Sequence, residues 1–323
     1  MLVAYLPRGS SLESIAVADG ASVPEQAVWI DLVNPTPAED KVVEKVVGVA
    51  IPTAEEMQEI EPSSRLYIEN NARYMTATLL YQQDTPLPKT TPVTFILAGR
   101  RLITVRYDEP KPFALIRNKL ARSCPSDITG ETVLIDLLDA IIDRAADVLE
   151  RIGAEIDEVS SQIFERRRSR AAQFYNELLG NIGRKADHTA KVRESLVSIG
   201  RMLLFVVNEA EGMRWSKENR AQLKSMHRDV QSLIDHSAFL TNKGTFLLDA
   251  LVGVVTIEQN NIIKIFSVAA VAFLPPTLIA SIYGMNFHNM PELDWRFGYP
   301  IAIGMMIAAA ILPYLYFKWK KYL

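Results

Sequence analysis

The residues best suited to chemistry lie near the C-terminus, in Tyr283-Gly284-Met285-Asn286-Phe287, which runs on through Met290-Pro291-Glu292-Leu293 and Asp294 to Trp295 and Phe297-Gly298-Tyr299-Pro300. The side-chain oxygen of Asn286 and the backbone carbonyls near Gly284 and Met285 are neutral acceptors. Such oxygens suit a small divalent cation that gives up its inner water shell reluctantly, because they bond to the waters instead of replacing them. A glycine lets the backbone turn where a helix ends. Glu292 and Asp294 can raise the local cation concentration, or serve as ordinary solvated loop residues. Asn286 taken alone can also act as a C-terminal helix cap; its position and neighbours favour the ion-contacting reading.

Other chemistries find little footing. His188, His227, His236 and His288 show no ligand spacing, and the chain has neither a glycine-rich phosphate loop nor a nucleophile motif, so no enzyme is expected. Cys124 stands alone, which excludes an internal disulfide and a thiolate zinc cluster and fits soluble mass held in a reducing compartment. The net charge of −3 gives no reason to expect a nucleic-acid partner.

Two apolar segments position the motif. No charged residue occurs between Lys264 and Glu292, and as a helix Ile265–Tyr283 is about 28 Å long, against a hydrocarbon core of about 30 Å. The second charge-free run, Phe297–Phe317, ends in Lys318, Lys320 and Lys321 with Tyr314, Tyr316 and Trp319 at the boundary. We therefore expect a first span at 265–283, an external loop at 284–296, a second span at 297–317 and a basic cytoplasmic tail at 318–323. Basic flanks at Lys264 and at the C-terminus place both ends of the chain in the cytoplasm by the positive-inside rule. Paired charge-free helices of this length with this lysine asymmetry are rare in soluble proteins. Met1–Ser10 has no basic stretch followed by an apolar run, so no cleaved signal peptide is expected.

Proline divides the remainder. It is scattered from Pro7 to Pro125, absent from Ser126 to Leu274, and returns from Pro275 to Pro313. In the first region Ala27–Leu32, Tyr74–Tyr81 and Val93–Leu97 read as strands, Val93–Arg106 as a hairpin turning at Gly99 and Arg100, and Glu39–Val49 and Pro112–Arg122 as helices. Residues 1–125 are thus expected to form an α/β domain. Leu134, Leu138, Ile141, Ala145, Val148, Ile152, Ile156, Val159 and Ile163 mark one stripe of a long helix. Its other face is acidic from Glu131 to Glu165, either attracting cations or simply solvated. The run Arg166–Arg170 ends this helix, and Gly180 and Gly183 weaken the next without forbidding it. We read 126–214 as a helical hairpin and 215–264 as a stalk helix running into the membrane.

With these residues in view, the chain resembles the CorA family of magnesium channels. The resemblance rests on Gly284-Met285-Asn286 at the end of the first span, the Met290-Pro291-Glu292-Leu293 loop, Glu258-Gln259-Asn260, and Leu274-Pro275-Pro276-Thr277. It implies an α+β membrane protein of the bacterial inner membrane, a homopentameric funnel in lipid, with the first span lining the pore. It also implies Mg²⁺ as both substrate and regulatory ligand, with Co²⁺ and Ni²⁺ as secondary ions. Feedback closure by Mg²⁺ bound between subunits is part of the same resemblance; Asp249 matches an acidic position near the membrane, with Asp229 and Asp235 as further candidates. An isolated Asp on a long helix can equally be a solvated residue. The related zinc-transporting branch typically has Ile where this chain has Met285. A two-pass membrane-anchored sensor is the other alternative, but it needs no polar Gly-Met-Asn end.

One membrane helix cannot enclose a path, so copies of the first span must surround a common axis. Counting back from Asn286 along one face gives Ser281, Thr277, Leu274, Ala270, Phe266, Ile263 and Asn260. Asn260 and Thr277 can hydrogen-bond a hydrated ion, whereas Ile263, Phe266 and Leu274 can close the path by narrowing and dewetting it. The apolar members can instead face lipid.

Overall fold

β-Branched and aromatic runs between turn residues build one sheet from seven strands among the described residues: β1 (Leu2–Arg8), β2 (Ser11–Ala16), β3 (Trp29–Val33), β4 (Leu66–Glu69), β5 (Ala72–Tyr81), β6 (Lys89–Ala98) and β7 (Arg101–Arg106). The computed structural model describes residues 1–323 except 19–20, 83–84, 86–87, 126, 166–171, 214, 287–289, 292–294 and 321–323. The strand order is β2-β1-β3-β7-β6-β5-β4, antiparallel throughout except where β3 lies parallel to β7. The expected hairpin forms between β6 and β7, with Ala98 opposite Arg101. Pro92 sits inside β6 without breaking it. It pairs with Thr78 on β5, while the ladder to β7 begins only at Val93, so its missing N–H interrupts no bond on that side.

Alternation along β3 assigns its two faces. Ile30 and Leu32 join Leu2, Val43, Met57 and Ile103 in a core beneath α1 (Pro37–Val47) and α2 (Ala54–Met57). Helix α1 starts where Thr36 and Glu39 cap each other, with Pro37 in the first turn. On the opposite face Trp29 meets Phe113 of α4 (Lys111–Arg122), ring centroids 6.3 Å apart. Beside them lies a buried polar network. Trp29 Nε1 donates to Thr104 Oγ1 at 2.9 Å, Thr104 Oγ1 donates to Asp31 Oδ1 at 2.7 Å, and Arg106 reaches Asp31 Oδ2 at 2.9 Å. Asp31 and Arg106 are 0% and 1% exposed, so this ion pair joins the two parallel strands without water.

After a short α3 (Pro62–Arg65) between α2 and β4, the region expected to be helical holds α5 (Gly130–Phe164), α6 (Ala172–Gly212) and α7 (Lys217–Tyr283); α8 (Gly298–Trp319) follows. The stripe from Leu134 to Ile163 is buried as expected, but the covered face is wider and takes in Val133, Ile135, Leu137, Ile142 and Leu149. The N-terminal turns of α5 lie against α4 and the sheet, which covers more than one stripe. Gly130 permits this approach: a Cβ there would stand 2.3 Å from the Leu102 nitrogen. Gly180 and Gly183 lie within α6. Pro275 and Pro276 lie inside α7 and Pro313 inside α8, a placement that apolar membrane helices tolerate.

The chain divides into two units, Met1–Glu165 with Asn176–Leu248, and Arg166–Tyr175 with Asp249–Leu323. The first holds the sheet and most of the long helices. The second holds the C-terminal part of α7 and all of α8, and both helices contain a stretch long and apolar enough to cross a membrane.

Candidate functional site

Helix α7 ends at the Gly-Met-Asn motif. The Gly284 N–H donates to the Ala280 carbonyl at 3.0 Å and the Met285 N–H to the Ile282 carbonyl at 3.3 Å, a tightening of the last turn. Gly284 ends the helix without a left-handed turn. Its backbone does not enter the positive-φ region; instead a Cβ would stand 3.0 Å from the Ala280 oxygen, so the glycine serves close approach. Asn286 is not left-handed either, and its side chain bonds to no group among the described residues. Asn286 and Met285 are both exposed in the single chain.

At about 100° per residue, Asn260, Ile263, Phe266, Ala270, Leu274, Thr277 and Ser281 fall within a sector of about 120° on α7. All seven are exposed in the single chain. The opposite sector is partly covered, at Val268, Ala269, Val271, Ala272, Pro275, Pro276, Ile279 and Tyr283. Helix α8 likewise has one covered stripe, through Ala302, Ile303, Met306, Ala309, Pro313 and Phe317. These partly covered stripes leave the Asn260–Ser281 sector of α7 uncovered in the single chain. Thr277 donates its hydroxyl hydrogen to the Phe273 carbonyl at 2.7 Å. That bond fixes the rotamer and leaves the oxygen lone pairs as acceptors.

The acidic candidates are dispersed. Asp229, Asp235 and Asp249 are exposed, and among the described residues no group of three or more His, Cys, Asp or Glu stands close enough to hold a metal ion. Glu292 and Asp294 lie outside the described residues. The acidic face of α5 is partly neutralised by lysines from its neighbours: Lys119 pairs with Asp136 at 3.0 Å, Lys185 with Glu155, and Lys243 with Asp157. Composition along α5 alone could not show this, because the cations come from α4, α6 and α7. Burial, then Asp143 and Asp136, push the Asp139 carboxyl above the usual range; Lys119 opposes them, and Asp229 adds a smaller upward push. Cys124 is buried and its thiol is pushed up by that burial, the reverse of an activated nucleophile.

Comparison with known proteins agrees with this architecture. A family model described as CorA-like Mg²⁺ transporter protein matches residues 24–320. The magnesium transport proteins CorA of Salmonella typhimurium strain LT2 and Escherichia coli strain K12 are each 36% identical over 323 residues, covering 100% of this chain and of theirs. The solved structure of the CorA magnesium transporter from Methanocaldococcus jannaschii superimposes with a TM-score of 0.77 at 18% identity, over 98% of this chain and 97% of that one. At that identity the likeness speaks for the fold.

Proposed function

The chain belongs to the CorA-like Mg²⁺ transporter family, and from that premise we propose that it forms a homopentameric channel admitting hydrated Mg²⁺ through the bacterial inner membrane. The observation that carries the reading is the uncovered sector of α7, which has Asn260 at one end, Thr277 and Ser281 at the other and apolar residues between, and which leads to an Asn286 amide with no hydrogen-bond partner among the described residues. A lipid-facing helix has no use for Asn260, Thr277 and Ser281 in line, whereas the wall of a shared pore does.

In this proposal the rings of Gly284, Met285 and Asn286 form the selectivity filter. A pentamer presents each neutral oxygen several times around one axis, and those oxygens accept hydrogen bonds from the ion's water shell. Little dehydration is needed, which matters because Mg²⁺ loses its waters slowly and at high cost. Thr277 and Asn260 repeat the contact deeper in the path. Ile263, Phe266 and Leu274 close it by narrowing and dewetting. Glu292 and Asp294 concentrate cations at the outer mouth, and the lysines at 264, 318, 320 and 321 hold both termini in the cytoplasm.

Regulation follows the same ion. Mg²⁺ between neighbouring subunits screens facing carboxylates, among them Asp249, and holds the pore shut; loss of the ion lets the subunits part. The dispersal of Asp229, Asp235 and Asp249 in one chain supports a site shared between copies, since among the described residues no cluster gathers the ligands a Mg²⁺ ion needs. Co²⁺ and Ni²⁺ are expected as secondary substrates.

Ion flux into liposomes containing the purified protein tests this directly, with Mg²⁺, Co²⁺, Ni²⁺ and Zn²⁺ compared under equal gradients. Mg²⁺ entry that is inhibited from the cytoplasmic side by Mg²⁺ is the expected result. Vesicles impermeable to every divalent ion, or selective for Zn²⁺ alone, would overturn it.

A further inference from the structure

Within the sheet-bearing unit, α3, β5, α6 and α7 surround a cleft of about 550 Å³ that the conduction reading does not use. Its long wall is one face of α6, where Ala190, Arg193, Glu194, Val197, Ser198 and Arg201 recur at helical spacing. Arg65 enters from the opposite side, donating from Nε to the Glu59 carbonyl at 2.5 Å and from Nη1 to Thr78 Oγ1 at 3.0 Å. Ser198 Oγ accepts the Thr78 N–H at 2.9 Å, which leaves its hydroxyl hydrogen free to donate.

The charge in the cleft is unbalanced. Three arginines face one glutamate, and among the described residues none of the three has a carboxylate within ion-pair distance. Arg65 is half-buried and close enough to Arg201 for the two cations to repel. Burial lowers its pKa, Glu194 opposes that, and Arg201 lowers it further. Folding has thus placed two guanidiniums together with too little counter-charge, in a recess where Leu66, Ala190 and Val197 supply apolar wall and Thr76 and Thr241 hydroxyls.

We propose that this cleft binds a small organic phosphate of mononucleotide size. Its phosphoryl group sits between Arg65 and Arg201, where two planar forks match the oxygens of a dianion. Its body lies along Val197 and Leu66, and a planar ring stacks on the Arg193 guanidinium two helical turns away. A carboxylate would supply only one of the charges the arginine pair lacks.

The test uses the full-length protein in detergent micelles with EDTA, so that no Mg²⁺ couples the titration to channel closure. Adenosine 5′-monophosphate, inorganic phosphate and adenosine are titrated calorimetrically. The expected result is one nucleotide per chain, with inorganic phosphate and adenosine each at least tenfold weaker, and at least a tenfold loss on Arg201→Gln, an exposed position whose replacement leaves the circular dichroism unchanged. Equal affinity of the wild type and Arg201→Gln, adenosine binding as tightly as the nucleotide, or no heat at millimolar nucleotide would each overturn the site. Displacement of the nucleotide by short-chain phosphatidic acid but not by inorganic phosphate would assign the cleft to a lipid headgroup instead, and overturn it too. Mg²⁺ flux is measured separately, so the failure of one proposal leaves the other standing.

Discussion

Asn286 ends the proposed filter with an amide that no group among the described residues engages. Its replacement by Ala should abolish Mg²⁺ uptake into vesicles while the protein still assembles and elutes as the wild type does; full transport by Asn286→Ala would remove the filter. Asp31 is the contrasting case, a side chain whose partners are all internal. Removing it strands the Arg106 guanidinium, 1% exposed, between two parallel strands. Asp31→Ala should cost about 3–5 kcal/mol of stability, because an unpaired buried charge loses both solvent and counter-ion. Thermal unfolding reads this loss, and an unchanged midpoint would mean that water reaches Arg106. The two residues also differ in legibility. The functional weight of Asn286 came from its neighbours in sequence, whereas nothing near Asp31 in sequence foretold Arg106, which strand pairing brings across from β7.

Among the elements, α5 shows how closely helix and sheet are fitted. Strand β7 approaches it at Gly130, where any Cβ would strike backbone atoms of Arg101 and Leu102. Gly130→Ala should destabilise the protein by about 1–3 kcal/mol through forced separation of helix and sheet, read as a lowered unfolding midpoint. A midpoint within error of the wild type would show that the helix start can slide. Helix α7 carries the proposed gate. Substituting Gly for Phe266 or Leu274 removes large exposed apolar side chains from the uncovered sector. The expected outcome is greater leak conductance at high internal Mg²⁺, and an unaltered leak argues against a gate at those rings. Element type followed from β-branched runs and their bounding turn residues for β3, β5, β6 and β7, from composition for α1 and α4, and from periodicity or the absence of proline for the long helices. Strands β1, β2 and β4 were harder to read, since the apolar run of β1 lies at the terminus, and β2 and β4 are short edge segments whose pairing, more than their composition, makes them strands.

At the scale of the whole molecule, the proposed function belongs to an assembly. Asp229, Asp235 and Asp249 form no ligand cluster within one chain, and a pore needs several copies of α7. Asp249→Lys should shift the Mg²⁺ dose response for closure, because a cation at that position repels the ion that a carboxylate would hold. An unchanged dose response would discard its role as a sensor. A protein that is monomeric in lipid bilayers by mass measurement would remove the pore itself.

Chain-local physics determined the two apolar segments, the polar tripeptide at the end of the first, the long proline-free helices and the mixed α/β start. Each of these depends on residues a few positions apart, so one-dimensional spacing suffices to read it. Long-range contact decided the rest: the order of seven strands, the Asp31–Arg106 bond, the lysines that neutralise the acidic face of α5, and the arginines gathered from α3 and α6 around one cleft. Charges distant in sequence interact only after the backbone has folded, and whether a carboxylate is solvated, paired or buried is a property of that proximity.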